Sequence, residues 1–294
     1  MNTAGAPRSN YASWFVSAHD PETRRAFWIR RTTQRVAAGP DTVTAWCTVF
    51  DARAATTTQT WTGHEVPVTM RAGRESFAGA ARSPQGRTAW DLVVSAQEQP
   101  IRPLRPAVLY CLPLPRTKVE ITVPFGHVAG QVDTGNAVWQ VDRWPATVGH
   151  NWGSEHAEHW VWLHADHLGP VLWLDVVLAR VRVGRALTPW LATGSMRLES
   201  GIVALGGLGR RVTVAAVSAR HVEVSLPWRQ GRLNLEADGA GAATTVVTYR
   251  NPPGGDRTVA HSATAGVRLT LERAHRVVAV ARGLCSLEVG APQR

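Results

Sequence analysis

The densest group of side chains able to do chemistry lies between Gly149 and His167. These nineteen residues hold five of the chain's eleven histidines and three of its thirteen tryptophans, together with Glu155, Glu158 and Asp166. Imidazoles transfer protons or bind metals, carboxyl groups donate or accept protons, and indole faces stabilise positive charge. The segment therefore indicates either acid–base chemistry among aromatic side chains or a metal site.

The spacing of the histidines argues against the metal site. On a strand, His156 and His159 point to opposite faces, and His164 and His167 flank a predicted turn. No three of these ligands converge from local geometry, as a structural or catalytic zinc site would require. We therefore expect no metal, and we interpret these histidines as solvated or as hydrogen-bonded within the core.

The segment divides into two halves with different predicted backbones. Glycines bracket the first half, which predicts a kink that aims His150 and Trp152 into a space. The second half alternates as a strand, so that Trp160, Trp162 and His164 share one face.

A tight turn at residues 166–169 leads into a second strand, which predicts an antiparallel hairpin. In the expected pairing, Trp162 lies opposite Trp173 and Trp160 lies opposite Asp175. One carboxyl group would then sit among three indoles on a single face. A slip of one residue would turn Asp175 to the other face, and both registers stay open.

Asp175 is the leading candidate for a catalytic residue. A carboxylic acid enclosed by apolar walls favours its neutral form, from which it can donate a proton. The alternative is an aspartate in solvent or in an ion pair with one of the many arginines. His150 is the second catalytic candidate, with a structural role at a domain junction as its alternative. The residues expected to bind substrate are Asn151, Trp152, Trp160, Trp162, His164 and Trp173.

The elements that must position these residues are strands. Apolar residues alternate with a period of two along most of the chain, and turn residues recur about every eight to twelve positions. This pattern predicts an all-β protein whose strands close into barrels or stack as sandwiches. The segment Arg143–Gly149 interrupts the pattern near mid-chain. We place a domain boundary there, between a β domain at residues 1–145 and another at residues 146–294.

Composition restricts the partners and the location. The chain has 294 residues, of which 44% are hydrophobic and 18% are charged, so it is a folded protein rather than a disordered or coiled-coil one. Its net charge is +10, but the arginines are scattered, which favours a solvated basic surface over a nucleic-acid site. Weak association with an anionic membrane surface stays open.

The chain shows no apolar run of about 18 residues and no signal-peptide core, so we expect a cytoplasmic protein. Cys47, Cys111 and Cys285 are far apart and lack CxxC spacing, which indicates free thiols. Glycine loops that cradle phosphate are absent, so a nucleotide cofactor is not expected.

The stretch His150-Asn151-Trp152-Gly153, followed by a strand with an aromatic residue two places before Asp175, resembles the carotenoid 1,2-hydratase (hydroxyneurosporene synthase) family. The wider superfamily includes tocopherol-cyclase-like proteins and natural-product cyclases of the Diels–Alderase type. Further similarity lies in Arg24-Arg25-Ala26-Phe27-Trp28, Ala89-Trp90-Asp91-Leu92, the hairpin from Gly130 to Trp139, and Tyr249-Arg250-Asn251-Pro252.

The resemblance implies two lipocalin-like β domains in tandem, a hydrophobic pocket near their junction, and neither an organic cofactor nor a metal. It also implies functional roles for His150, Trp152 and Asp175. The family has a tyrosine where this chain has Trp173, and an indole cannot relay a proton as a phenol does.

Together these features predict a cofactor-independent enzyme that encloses a lipophilic, unsaturated small molecule such as a terpenoid, carotenoid or polyketide. Shape and acid catalysis would promote cyclisation, hydration or isomerisation, and aromatic walls would stabilise positive charge. One alternative is a non-catalytic carrier or sensor of a hydrophobic ligand. Another is a structural protein whose pocket is filled by side chains.

Overall fold

A computed structural model describes residues 10–36, 39–51, 56–65, 70–84 and 86–293. Strands dominate this part of the chain, and the helical structure in it is one short 3-10 turn, Ala107–Tyr110. This confirms the all-β fold class. Within the described ranges, no helix is long and apolar enough to cross a membrane.

The strands of the first half of the chain are β1 Asn10–His19, β2 Ala26–Arg35, β3 Thr42–Phe50, β4 Thr57–Gly63, β5 Arg71–Ala72, β6 Ser76–Ser83, β7 Gly86–Ala96, β8 Thr117–Asp133 and β9 Val138–Gly153. The strands of the second half are β10 His159–Leu168, β11 Val171–Arg180, β12 Arg182–Val183, β13 Ala186–Leu187, β14 Leu191–Leu198, β15 Gly201–Gly206, β16 Thr213–Val217, β17 His221–Trp228, β18 Gly231–Asp238, β19 Thr245–Tyr249, β20 Arg257–Arg273 and β21 Arg276–Pro292.

These strands form two large antiparallel sheets. The first has the order β4-β3-β2-β1-β9-β8-β7-β6-β5, and the second has the order β15-β14-β11-β10-β21-β20-β18-β17-β16, with β19 also paired to β20. Each sheet curls on itself, because β4 contacts β6 and β15 contacts β17. Two curled antiparallel sheets, one after the other along the chain, are the architecture expected of two lipocalin-like units. β12 and β13 form a small separate hairpin.

Each sheet has its own hydrophobic core, and a third cluster joins the two. Strand β1 shows how: Val16 belongs to the core of the first sheet, whereas Phe15 and Ser17 point toward the second. The Ser17 and Ser286 hydroxyl oxygens lie 2.7 Å apart across the junction. The third cluster, here called the interface core, is built from both sheets and includes Trp28, Trp46, Phe50, Trp160, Val247, Tyr249 and Val259.

Strand β9 runs without a break through the predicted interruption at Arg143–Gly149. Residues 144–153 remain paired to β8 or β1, and the irregularity is a local bulge in which Arg143 has φ +51°. The boundary at residues 145 and 146 would therefore cut a strand, and the chain passes between the sheets at residues 154–158. The division into two separate domains stays a prediction.

The glycines around His150 serve close packing rather than a kink. Neither Gly149 nor Gly153 has a positive φ, and both lie within β9. A Cβ atom at Gly149 would lie 2.2 Å from the ring of Phe15, and one at Gly153 would lie 1.9 Å from the carbonyl oxygen of Arg116. The predicted kink is therefore wrong, because the pattern reflects close neighbours across strands.

Candidate functional site

A cavity of about 400 Å³ lies between the two sheets. Its walls come from β1, β2, β8 and β9 of the first sheet and from β10, β11, β14, β19 and β21 of the second. Apolar side chains such as Phe15, Leu109 and Val177 make up much of the lining. This volume lies within the range of small-molecule sites, which are mostly apolar with a few placed polar groups.

The β10–β11 hairpin brings Asp175 to the cavity wall. His164 pairs with Asp175, so the predicted pairing of Trp160 with Asp175 is wrong by four residues. The turn lies at Gly169–Pro170, with Gly169 at φ +59°, rather than across residues 166–169. Because the shift is an even number, the predicted face is retained, and Asp175 still lies on the face of Trp160.

Asp175 is held by two side chains of the neighbouring strand. It is 2% exposed, and its Oδ2 atom accepts a hydrogen bond of 3.0 Å from Nε1 of Trp162. The same oxygen lies 3.2 Å from Nδ1 of His164. The Oδ1 atom makes no hydrogen bond with the described residues. The Asp175 carboxyl group is therefore fixed at the cavity wall, within reach of a bound molecule.

The structure divides the predicted site residues into two groups. Those that line the cavity are His150, Asn151, Trp160, Trp162 and Asp175. His164 lies outside the lining, where it contacts Asp175. Trp152 also lies outside it and packs on His150 and Tyr110, with ring centroids 4.8 and 6.3 Å apart.

Trp173 is fully buried away from the cavity lining, opposite Asp166 rather than Trp162. The four-residue change of register moves it toward the turn end of the hairpin. Trp173 therefore does not line this cavity, and its predicted role in binding a ligand stays a prediction.

His150 is a neutral aromatic base in the cavity wall. Its ring lies between Trp14 and Trp152, with centroid distances of 4.3 and 4.8 Å. Burial lowers the pKa of His150, and the smaller effect of Glu120, opposite it on β8, raises it. The imidazole is therefore neutral at pH 7 and able to accept a proton or a hydrogen bond.

Glu288 is a second buried carboxylate at the cavity, and the sequence did not predict it. Its Oε1 atom accepts a hydrogen bond of 2.8 Å from Trp160 Nε1, and its Oε2 atom accepts one of 2.8 Å from the Tyr249 hydroxyl. Burial raises the pKa of Glu288, but interactions with His261, Arg30 and Trp160 outweigh it and lower the pKa to about 2. Glu288 therefore stays ionised.

The two cavity-facing tryptophans of β10 serve different carboxylates. Trp162 donates to Asp175 on β11, and Trp160 donates to Glu288 on β21, the strand on the other side of β10. The predicted cluster of three indoles around one carboxyl group is thus replaced by two indole–carboxylate pairs.

Arg30 is the second charged group at the cavity that the sequence did not predict. It is 2% exposed, and its guanidinium carbon lies 4.0 Å from the centroid of the Tyr249 ring. Its Nη2 atom donates to Ser13 Oγ at 3.0 Å and to Asn151 Oδ1 at 3.4 Å. In both cases the sequence carried a signal that could have been used, namely a charged residue beside or within an apolar run. Arg30 follows the apolar run Phe27-Trp28-Ile29, and Glu288 interrupts an apolar run near the C-terminus.

The histidines and acids considered as metal ligands have other partners. Glu158 pairs with Arg182 at 2.8 Å and with Arg257 at 3.5 Å, and His156 packs on Tyr11 with ring centroids 4.1 Å apart. Across the described ranges, no three His, Cys, Asp or Glu side chains are grouped closely enough to hold a metal ion.

The fold and the site together define a class: an all-β protein with two antiparallel sheets in tandem and a ligand-sized apolar cavity between them. No known family profile matches the sequence. Two uncharacterised proteins of Mycobacterium tuberculosis, from strains CDC 1551 and H37Rv, are each 31% identical over 174 residues, which is 56% of this chain and 52% of theirs. The chain thus spans about half the length of these relatives.

Two solved structures share the fold. Kievitone hydratase from Nectria haematococca superposes with a TM-score of 0.57 at 9% identity, covering 96% of this chain and 89% of the other. A proposed AttH protein from Nitrosomonas europaea superposes with a TM-score of 0.52 at 13% identity, covering 98% and 93%. At such identities the similarity shows the shared fold alone.

Proposed function

We propose that this protein is an enzyme that adds water to, or rearranges, a carbon–carbon double bond of a lipophilic small molecule, with Asp175 as the proton donor. The observation that carries the proposal is the position of Asp175: almost fully buried, at the wall of an apolar cavity, with one oxygen held by Trp162 and His164. A fold shared with a protein named as a hydratase supports the reaction class.

The proposed reaction begins with the neutral Asp175 carboxyl group. It gives its proton to one carbon of the double bond, and the other carbon becomes positively charged. A water oxygen forms a bond to that carbon, and one proton of the water returns to the Asp175 carboxylate. Asp175 is thereby restored, and the net change is the addition of one water molecule.

The other cavity residues have supporting roles in this proposal. The ring faces of Trp160 and Trp162 stabilise a positively charged carbon. Where water is excluded, loss of a different proton isomerises the double bond. Attack by a second double bond closes a ring and moves the positive charge to a new carbon, and loss of a neighbouring proton then gives the neutral cyclic product. The neutral His150 ring is a candidate acceptor for such a proton.

The two alternatives from the sequence differ in what the cavity should do. A structural protein with its pocket filled by side chains is not favoured, because about 400 Å³ stays open between the sheets. A carrier would bind lipophiles in the same cavity without converting them, and turnover distinguishes it from an enzyme.

The test is product formation in water labelled with heavy oxygen. Farnesol, a prenylated phenol and a linear polyene are incubated with the protein, and mass spectrometry detects labelled hydrates or isomers.

For Asp175→Asn we expect turnover to fall about a hundredfold or more, while ligand affinity measured by tryptophan fluorescence stays nearly unchanged. Asp166→Asn is the matched control, because Asp166 is a buried carboxylate of the same hairpin that lies outside the cavity lining. Binding without conversion by the unaltered protein would establish a carrier instead, and full activity of Asp175→Asn would remove Asp175 from the mechanism.

A further inference from the structure

Arg30 is a buried cation without a direct anionic partner. Among the described residues, no carboxylate oxygen lies within 4.0 Å of its guanidinium group, whereas two other arginines at the same cavity are ion-paired: Arg116 with Glu155, and Arg182 with Glu158 at 2.8 Å. Buried charges are normally paired because the loss of hydration is costly. Arg30 is an exception in that its guanidinium group touches no carboxylate directly.

The polar contacts of Arg30 leave part of its donor capacity unused. Its hydrogen bonds run from Nε to Thr32 at 3.3 Å and from Nη2 to Ser13 and Asn151. The Tyr249 side chain is a further hydrogen-bond partner of Arg30. A guanidinium group carries five N–H donors, so at least one is available to a molecule in the cavity that Arg30 lines.

Asn151 adds a second donor at the same place. Its Oδ1 atom accepts from Arg30, which leaves its Nδ2 hydrogens free of any hydrogen bond with the described residues. Both Arg30 and Asn151 line the cavity. Arg30 and Asn151 are thus two neighbouring donors in one cavity wall, and a carbonyl oxygen has two lone pairs with which to accept from them.

The local charge favours a neutral acceptor over an anion. Glu288 is ionised, interacts electrostatically with Arg30, and is separated from direct contact by Tyr249, whose ring covers the guanidinium and whose hydroxyl group binds Glu288. The positive and negative charges thus balance before any ligand enters. A carboxylate beside Arg30 would add an uncompensated negative charge near Glu288, whereas a carbonyl group adds none.

We infer that Arg30 and Asn151 bind the carbonyl oxygen of the lipophilic ligand, so that the substrate class is an unsaturated lipophile carrying a ketone or aldehyde. This inference rests on the proposed function for the presence of a lipophile in this cavity. The carbonyl group fixes the orientation of a ligand that apolar walls alone would hold in many poses.

The test compares four linear probes of one chain length: undecane, 2-undecanone, 2-undecanol and undecanoate. Dissociation constants at pH 7 are measured by quenching of tryptophan fluorescence. We expect the ketone to bind about tenfold or more tightly than the alkane, as a hydrogen bond to a buried charged donor would provide, and more tightly than undecanoate. Arg30→Met should abolish the preference for the ketone. Arg182→Met, which removes an ion-paired arginine of the same cavity, should retain it.

Equal binding of ketone and alkane by the unaltered protein would overturn the inference even if Arg30→Met failed to fold, and it would leave the proposed function standing. Tighter binding of undecanoate would overturn it in favour of an acidic ligand. Failure of all four probes to bind would overturn both the inference and the lipophilic site of the proposed function.

Discussion

His164 stands directly opposite Asp175 in the β10–β11 hairpin, with its Nδ1 atom 3.2 Å from Asp175 Oδ2. Both side chains are buried, but only Asp175 lines the cavity between the sheets. His164 can therefore influence a bound molecule through Asp175, which makes it a candidate positioning residue.

For His164→Phe we expect kcat to fall about tenfold to a hundredfold while KM stays nearly constant, because the ring shape is retained and the contact with Asp175 is lost. His164→Gln, which keeps an N–H donor, should recover part of the activity. Steady-state kinetics on the substrate found by the labelled-water assay provides the measurement, with His221→Phe on the distant strand β17 as control. A rise in KM with unchanged kcat would contradict the positioning role.

Gly290 on β21 has no side chain, and the Trp160 ring occupies the space where one would lie. A Cβ atom at Gly290 would lie 2.1 Å from Cζ2 of Trp160, whose indole N–H binds Glu288. We expect Gly290→Ala to lower the free energy of unfolding by about 1–3 kcal/mol, because the ring must shift in a packed interior. Urea unfolding measures the change. Gly73→Ala is the control, since nothing lies within 4 Å of a Cβ atom there, and an equal effect of both substitutions would refute the packing argument.

His156 should make the folded protein sensitive to mild acid. Burial, followed by the effect of Arg30, lowers the pKa of His156 from 6.5 to about 3. Below about pH 6.5 the unfolded chain therefore binds a proton that the folded protein does not bind. The free energy of unfolding falls as the pH falls from 6.5 toward 3. The contribution of one such proton is about 1.4 kcal/mol per pH unit.

We expect His156→Phe to reduce the slope of unfolding free energy against pH by up to about one proton between pH 6 and 4.5. This window lies above the pH at which Glu288, with its pKa lowered from 4.5 to about 2, loses its own contribution. Urea unfolding at several pH values tests the expectation. Parallel pH profiles for the two proteins would show that His156 is not the sensitive group.

The sequence by itself determined the fold class, and it left two faces open for Asp175. A period of two is a local property of an extended chain, so the strands could be read from single segments. The same period placed Trp160 and Trp162 on one face of their strand. The expected pairing put Asp175 on that face too, and this proved correct despite an error of four residues in register because the error was an even number.

Tertiary structure decided the register, the change of sheet at residues 154–158 and the composition of the cavity. Arg30 comes from β2, Tyr249 from β19 and Glu288 from β21, and they meet because two curled sheets pack face to face over an interface core. Such contacts join residues more than two hundred positions apart. Their energy depends on how whole sheets curl and pack, which no local pattern of residues specifies.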